Sequence, residues 1–271
     1  REIYLAFWIV IFALMGFYLL GKLKFSHDSD LPHVGVPRLL MAIVTFTFVI
    51  YLIPGMWGAP LKALSGYLPP QTTQDFDINH EIRENAFMVQ DYIDEYGGSM
   101  SNAKAKGNSE PCEKPKYSDH LHLPHGLKGY FDYDQALDCA RKQNKPVFID
   151  FTGHGCVNCR EMEASVWSAP QVLKRLRKDF VVVALYVDDK KIKLPEDEWV
   201  TSSYDGKVKK TLGKKLADLQ ITKFNVNAQP FYVLLDHDES NLVTPRGYDK
   251  NVEDFVEFLD AGLAEFKKRH P

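Results

Sequence analysis

Three things are missing from this 271-residue chain. None of its four cysteines precedes Cys112. There is no basic block: 33 Lys and Arg face 36 Asp and Glu, for a formal net charge of -3. A nucleic-acid partner, which needs a cationic footprint, is therefore not expected. Finally, Ile3 to Gly21 and Leu39 to Leu61 hold no charged residue at all. Each run approaches the ~20 apolar residues that cross a ~30 Å hydrocarbon core. A cleaved signal peptide would explain one run, not two, and the first lacks a basic n-region and a cleavage site. Two long apolar runs this close together read as membrane spans rather than as buried core helices.

The loop between them carries Lys22, Lys24 and Arg38 against Asp28 and Asp30. The positive-inside tendency puts this loop in the cytoplasm and everything after Leu61 across the membrane. In a Gram-negative cell that side is the periplasm, where cysteine pairs can be oxidised. The expected organisation is a transmembrane hairpin over 1–61 (spans about 3–21 and 39–61), a linker over 62–129, and a compact domain over 130–271. Membrane lipid is thus an expected partner. Because the chain opens on Arg1 rather than Met, it reads as a fragment or a processed product. Within the linker, Ile82, Met88 and Ile93 give 81–96 a weak helical period. Gly97 to Tyr117, rich in Gly, Ser, Asn, Lys and Glu, predicts a flexible segment.

The domain reads as an α/β unit. Helices are predicted over Asp134–Gln143, Cys156–Trp167, Ala169–Lys178, Gly213–Phe224 and Asn251–Lys268. Strands are predicted over Val147–Thr152, Phe180–Val187 and Phe231–Asp236, with Leu242–Arg246 as a hairpin partner of the last. Asp205-Gly206 signals a hairpin between Trp199–Tyr204 and Lys207–Lys210. Alternation followed by a terminal hairpin implies a mixed central sheet with helices on both faces. No internal repeat is visible.

Cys156-Val157-Asn158-Cys159 sits where a strand runs into a helix, the layout of a dithiol redox site. Cysteines three apart on a helix have Cβ atoms roughly 5–6 Å apart, so a disulfide closes across one turn with little movement. Unpaired amides and the positive dipole end at the helix start favour a thiolate on the first sulfur. Cys156 is therefore the expected nucleophile and Cys159 the resolving thiol. Zinc would need four ligands, and neither a second C-x-x-C nor a histidine pair at suitable spacing lies near the motif. No metal or cofactor is expected. His120, His122 and His125, in His-Leu-His-Leu-Pro-His, read as a loop or edge strand.

These residues carry a family resemblance. Residues 130–270 resemble a thioredoxin fold. Lys145-Pro146-Val147 to Trp167, with Cys-Val-Asn-Cys followed by Arg160-Glu161-Met162-Glu163, resembles the C-terminal domain of the DsbD family of thiol:disulfide interchange proteins. The preceding hairpin resembles the last two transmembrane helices of that family. The resemblance implies an electron relay, in which a membrane domain passes electrons to the thioredoxin-like domain and so to periplasmic partners. In the family the membrane step uses a cysteine pair in transmembrane helices. This chain has no cysteine before Cys112, so that pair is expected upstream, in a redox domain absent here.

The resemblance also assigns supporting residues. Asp150, six residues before Cys156, is the acid under the second cysteine and a candidate proton acceptor for Cys159. Burial in an apolar strand should raise its pKa. Glu163 matches an acid of the DsbD-type motif; it either tunes the same thiol or is a solvated helix residue. Gln229-Pro230 matches the cis-proline that faces the dithiol, with the Gln229 backbone edge pairing to a substrate chain. One departure stands out: Gly153-His154-Gly155 occupies the loop where thioredoxins commonly carry Trp. His154 reads as an exposed loop residue or, if close and protonated, as an acidifier of Cys156. Cys139 falls off the apolar face of its helix, and free thiols are expected at Cys112 and Cys139 rather than a bridge. Two other functions stay open: an apocytochrome c reductant for haem attachment, and a tethered scaffold whose disulfide is merely structural.

Overall fold

The computed structural model describes residues 1–29, 32–70, 73–75, 77–78, 82 and 111–271. The helical reading of 81–96 and most of the predicted flexible segment lie outside the described residues. The chain divides into two compact units, 1–89 and 90–271.

In the first unit, α1 (Glu2–Leu19) and α2 (Val36–Leu52) are joined by a short loop, and α2 runs on as a 3-10 turn, Ile53–Trp57. Pro37 enters α2 in its first turn, where its missing N–H costs nothing. The helices pack closely at Gly16, where a Cβ would lie 2.7 Å from the Phe46 ring. Phe12 and Phe48 meet edge to face at 4.8 Å. Leu5, Leu52, Leu61 and Leu68 form a small core at one end. Ile3, Phe7, Ile11, Leu40, Val44 and Ile50 point outward and are exposed. Both helices, Glu2–Leu19 and Val36–Trp57, are long and apolar enough to cross a membrane.

The second unit is built on a three-stranded sheet in the order β2-β1-β5. β1 (Val147–Thr152) lies at its centre, parallel to β2 (Val181–Tyr186) and antiparallel to β5 (Phe231–Leu235). Single bridges extend it at both edges, Tyr130 to Val183 and Arg246 to Tyr232. The predicted Leu242–Arg246 strand is thus reduced to isolated bridges. The flanking helices are α3 (Tyr133–Gln143), α4 (Val157–Met162), α5 (Pro170–Lys178), α6 (Leu212–Phe224) and α7 (Val252–Arg269). Asp132 caps α3 through the Gln135 amide, and Asn251 caps α7 through the amides of Glu253 and Asp254. Asn144 and Asn225 close α3 and α6 in the left-handed conformation. The Asp205-Gly206 turn joins β3 (Val200–Thr201) to β4 (Val208–Lys209), a small antiparallel pair apart from the main sheet.

Every residue of β1 is buried, so alternation decides what each face meets. Phe148, Asp150 and Thr152 share one face. Phe148 packs against Trp167, Phe180, Tyr232 and Phe255. Full burial of such a side chain contributes roughly 1.5–3 kcal/mol. At the end of β5 remote from the dithiol, Asp236 takes His270 Nε2 at 2.6 Å and Arg269 Nη1 at 3.4 Å, which ties the end of α7 to the sheet.

Residues 111–129, read from the sequence as linker, pack on this unit. Cys112 and Cys139 form a disulfide with a Cα–Cα distance of 5.6 Å, which corrects the expectation of free thiols. The reason is coverage. Cys139 does lie off the Leu137 stripe, but the arriving segment covers its side of α3 and leaves it 2% exposed. Gln135 fixes the register, accepting from Lys116 N at 2.9 Å and donating to Glu113 and Lys114.

Candidate dithiol site

The site lies at the carboxyl end of β1. Gly153-His154-Gly155 leaves the strand, Cys156 caps α4, and Cys159 lies on its first turn. Cys156 is half-buried and Cys159 is 1% exposed. A disulfide joins them, with Cα atoms 5.2 Å apart. The Cys156 sulfur accepts the Cys159 N–H at 3.1 Å, so the first sulfur takes one of the orphan amides of the helix start. A helix-start amide facing a half-buried sulfur is the arrangement that stabilises thiolates in general.

The motif helix is not uniform. After Met162 it widens into a π-helical segment, Glu163–Trp167, where the sequence predicted one continuous helix. The Glu163 carbonyl accepts Ser168 N at 3.2 Å and His125 Nε2 at 2.7 Å. His125 is buried and held at a φ of 57°. It belongs to the stretch read as a simple loop or edge strand, and here it packs behind the motif helix.

Beneath the helix lie three ionisable side chains. Asp150 is 3% exposed, and its Oδ1 has no hydrogen-bond partner. Burial, reinforced by the nearby Glu163 carboxylate and only partly offset by Arg160, holds its pKa well above the usual carboxylate range. Glu163 meets Arg160 Nη2 at 3.0 Å, and the two side chains are largely buried, 12% and 10% exposed. Burial pushes Glu163 up to about 7 against the pull of Arg160. The solvated-helix reading of Glu163 is therefore set aside. Arg160 also donates to Thr152 Oγ1 at 3.2 Å and the Gly153 carbonyl at 3.3 Å, which spans the base of the loop. The resulting Asp150–Glu163–Arg160 group can hold or release a proton near neutral pH under the disulfide.

The loop in place of the missing Trp is tied to the end of β2. His154 is half-exposed, and its Nε2 meets buried Asp189 Oδ2 at 2.9 Å. The imidazole thus faces a carboxylate, not the Cys156 sulfur. On the other side, the Gln229–Pro230 peptide bond is cis and precedes β5 directly. Gln220 holds this turn, donating to the Ala228 carbonyl at 2.8 Å. A cleft of about 370 Å³ opens here, lined by Gly153, Gly155, Cys156, Val157, Asn158 and Gln229, with Asp188 at its wall.

The structure thus brings Cys156, Cys159, Asp150, Glu163, Gln229 and Pro230 to one end of the sheet. Sequence reasoning missed Arg160, His125, Asp188 and Asp189. Asp188-Asp189 had a usable signal, since they follow a central strand at the carboxyl edge where α/β sites lie.

A dithiol at a strand-to-helix junction, facing a cis-proline turn, defines a thioredoxin-like domain. Comparison with known proteins agrees: residues 128–236 match the family model described as thioredoxin-like. A thioredoxin from Thermus thermophilus is 20% identical, over 53% of this chain and 92% of its own, with a TM-score of 0.38. A DsbH oxidoreductase is 16% identical, over 64% of this chain and 98% of its own, with a TM-score of 0.36. At those scores neither likeness assigns a role to this chain. Among curated proteins, none matches it. Nothing in these comparisons singles out the DsbD family.

Proposed function

We propose that this chain is a membrane-tethered thiol:disulfide oxidoreductase that works as a reductase and electron relay. The observation that carries the reading is the asymmetry of the dithiol. Cys156 is half-buried on a cleft and takes a helix-start amide, while Cys159 is buried on the helix whose inner side carries Glu163. In the forward step the Cys156 thiolate attacks a partner disulfide, and one partner thiolate leaves. The Cys159 thiolate then attacks Cys156, and the second partner thiolate leaves. The partner gains two electrons, and Cys156–Cys159 becomes the disulfide. Asp150 takes the Cys159 proton in this scheme, and the Gln229 backbone edge aligns the partner chain.

The two apolar helices support a membrane tether, and the Lys22–Arg38 loop supports a periplasmic domain. An upstream membrane redox domain would return electrons to Cys156–Cys159, and periplasmic disulfide domains or proteins would receive them. Apocytochrome c is one partner class that the same chemistry would serve. Insulin reduction by dithiothreitol tests the enzyme reading: the wild-type chain should accelerate it, and Cys156→Ser should not. Equal rates with and without the chain would leave a scaffold with a structural disulfide.

A further inference from the structure

Asp188 is two residues beyond β2 and exposed, yet its carboxylate is fully engaged with the dithiol loop. One oxygen accepts His154 N at 2.8 Å and the other accepts Gly155 N at 2.9 Å. These are the two residues that lead into Cys156. The approach is close at Gly153, where a Cβ would lie 2.9 Å from the Asp188 carboxylate and would push it off the loop amides. Asp189 holds the loop from beneath through the His154 ring, and is itself fixed by the amides of Lys191 and Ile192 at 3.0 and 2.8 Å. Burial works to raise the Asp189 pKa, but these amides and His154 outweigh it and hold it low. A pair of consecutive carboxylates therefore clamps the loop that replaces the aromatic wall.

Asp188 does one thing more. Among the described residues that line the cleft beside Cys156, it alone is charged. The neighbouring lysines, Lys190 and Lys191, do not line it.

We propose that Asp188 is a positioning and specificity-determining residue: it holds the loop entering Cys156, and it selects disulfide partners with a cation beside the attacked cysteine over partners with an anion there. This rests on the reading that Cys156 exchanges with partner disulfides. The charge acts on encounter and on the mixed disulfide, where the partner chain occupies the cleft. The sulfur chemistry is unchanged: an S–S bond forms between Cys156 and the partner as the partner's own S–S bond breaks, and the second partner sulfur leaves as a thiolate.

The test uses the full chain, reduced, in detergent, with three fluorogenic disulfide peptides that differ only in Lys, Gln or Glu beside the cysteine. Wild type should favour the Lys peptide over the Glu peptide in the second-order rate constant of this single exchange by about threefold to fivefold at low salt. Added salt should narrow the gap, a reading of the charge that needs no substitution. Asp188→Asn should bring the ratio close to one. Asp188→Glu keeps the charge but spoils the two-amide grip, so it should keep the ratio while lowering the rate with all three peptides. A wild type without preference, or an unchanged ratio in Asp188→Asn, overturns the specificity role. Wild-type rates with the Gln peptide in both variants overturn the positioning role. A wild-type chain that exchanges with none of the peptides overturns the underlying reductase reading instead.

Discussion

Cys112–Cys139 and Cys156–Cys159 are the same bond in two settings. The first spans 27 residues and fastens an arriving segment to α3. Neutral groups contact it: Gln143 Nε2 points at both sulfurs, at 3.5 and 3.3 Å, and Cys112 N donates to Tyr130 Oη at 2.7 Å. Burial raises the Tyr130 pKa further, so that phenol stays neutral at any physiological pH. The second spans 3 residues at a helix start, in the same small region as the buried Asp150 carboxyl and the largely buried Glu163 and Arg160. One disulfide is surrounded by groups that only hold it. The other lies among groups whose protonation can follow a change in the sulfurs. That contrast, rather than the bond, separates a staple from an exchange site.

The comparison breaks first at Asp150. Asp150→Asn removes the titrating group and keeps the shape, and a neutral amide is easier to bury than a carboxylate. Attack by Cys156 should change little. Decay of a preformed Cys156 mixed disulfide should slow by about 10²–10⁴-fold, the usual worth of general-base help. Stopped-flow decay across pH 6 to 9 measures this, and equal decay in both proteins would make Asp150 structural.

The staple side is tested by removing it. Cys112→Ala with Cys139→Ala should lower unfolding stability by about 3.5 kcal/mol, as expected for a cross-link that closes a loop of 27 residues. Insulin reduction by the remaining dithiol should stay within about twofold, because Tyr130 and Gln135 still hold the segment that carries His125 to the motif helix. A large loss of activity in a folded double variant would merge the two settings.

The smallest effect concerns Glu163. Its folded pKa, about 7, lies above the ordinary value of 4.5. The folded state therefore holds more protons than the unfolded state between those values, and its contribution to stability falls as pH rises through that window. Wild type should lose about 2 kcal/mol from this group between pH 5 and 7, and Glu163→Gln should flatten that part of the slope. Urea melts of the oxidised chain at several pH values check it. Parallel curves would mean that Arg160 keeps Glu163 ionised throughout.

Much of this domain was legible because its signals are local. A buried run ending at Thr152, a C-x-x-C, Pro170 at a helix start and Asn251 at another each fix an element within a few residues. The dithiol and Asp150 were readable for the same reason. What escaped depends on distant chain. Cys139 lies off its helix stripe, residues 111–117 cover it, and no periodicity in α3 announces that cover. Glu163 reads equally as a tuner of Cys159 or as a solvated helix acid, and the π segment and Arg160 that enclose it decide between the two. His125 gave no signal, since a loop histidine with left-handed backbone reads as solvent-facing until the Glu163 carbonyl is seen 2.7 Å away. The Leu242–Arg246 strand was overcalled because a hairpin pattern does not reveal that only single bridges close.

The central claim is that the two sulfurs of the exchange site are unequal. The direct measurement is the alkylation rate of each cysteine in the reduced full chain at pH 7, resolved by peptide mass spectrometry. Cys156 should react at least about tenfold faster than Cys159, because the thiolate is the reactive form and only Cys156 combines a helix-start amide with access to solvent. In Cys159→Ala, mixed disulfides should then accumulate on Cys156. Labelling of Cys159 at an equal or greater rate would contradict the account.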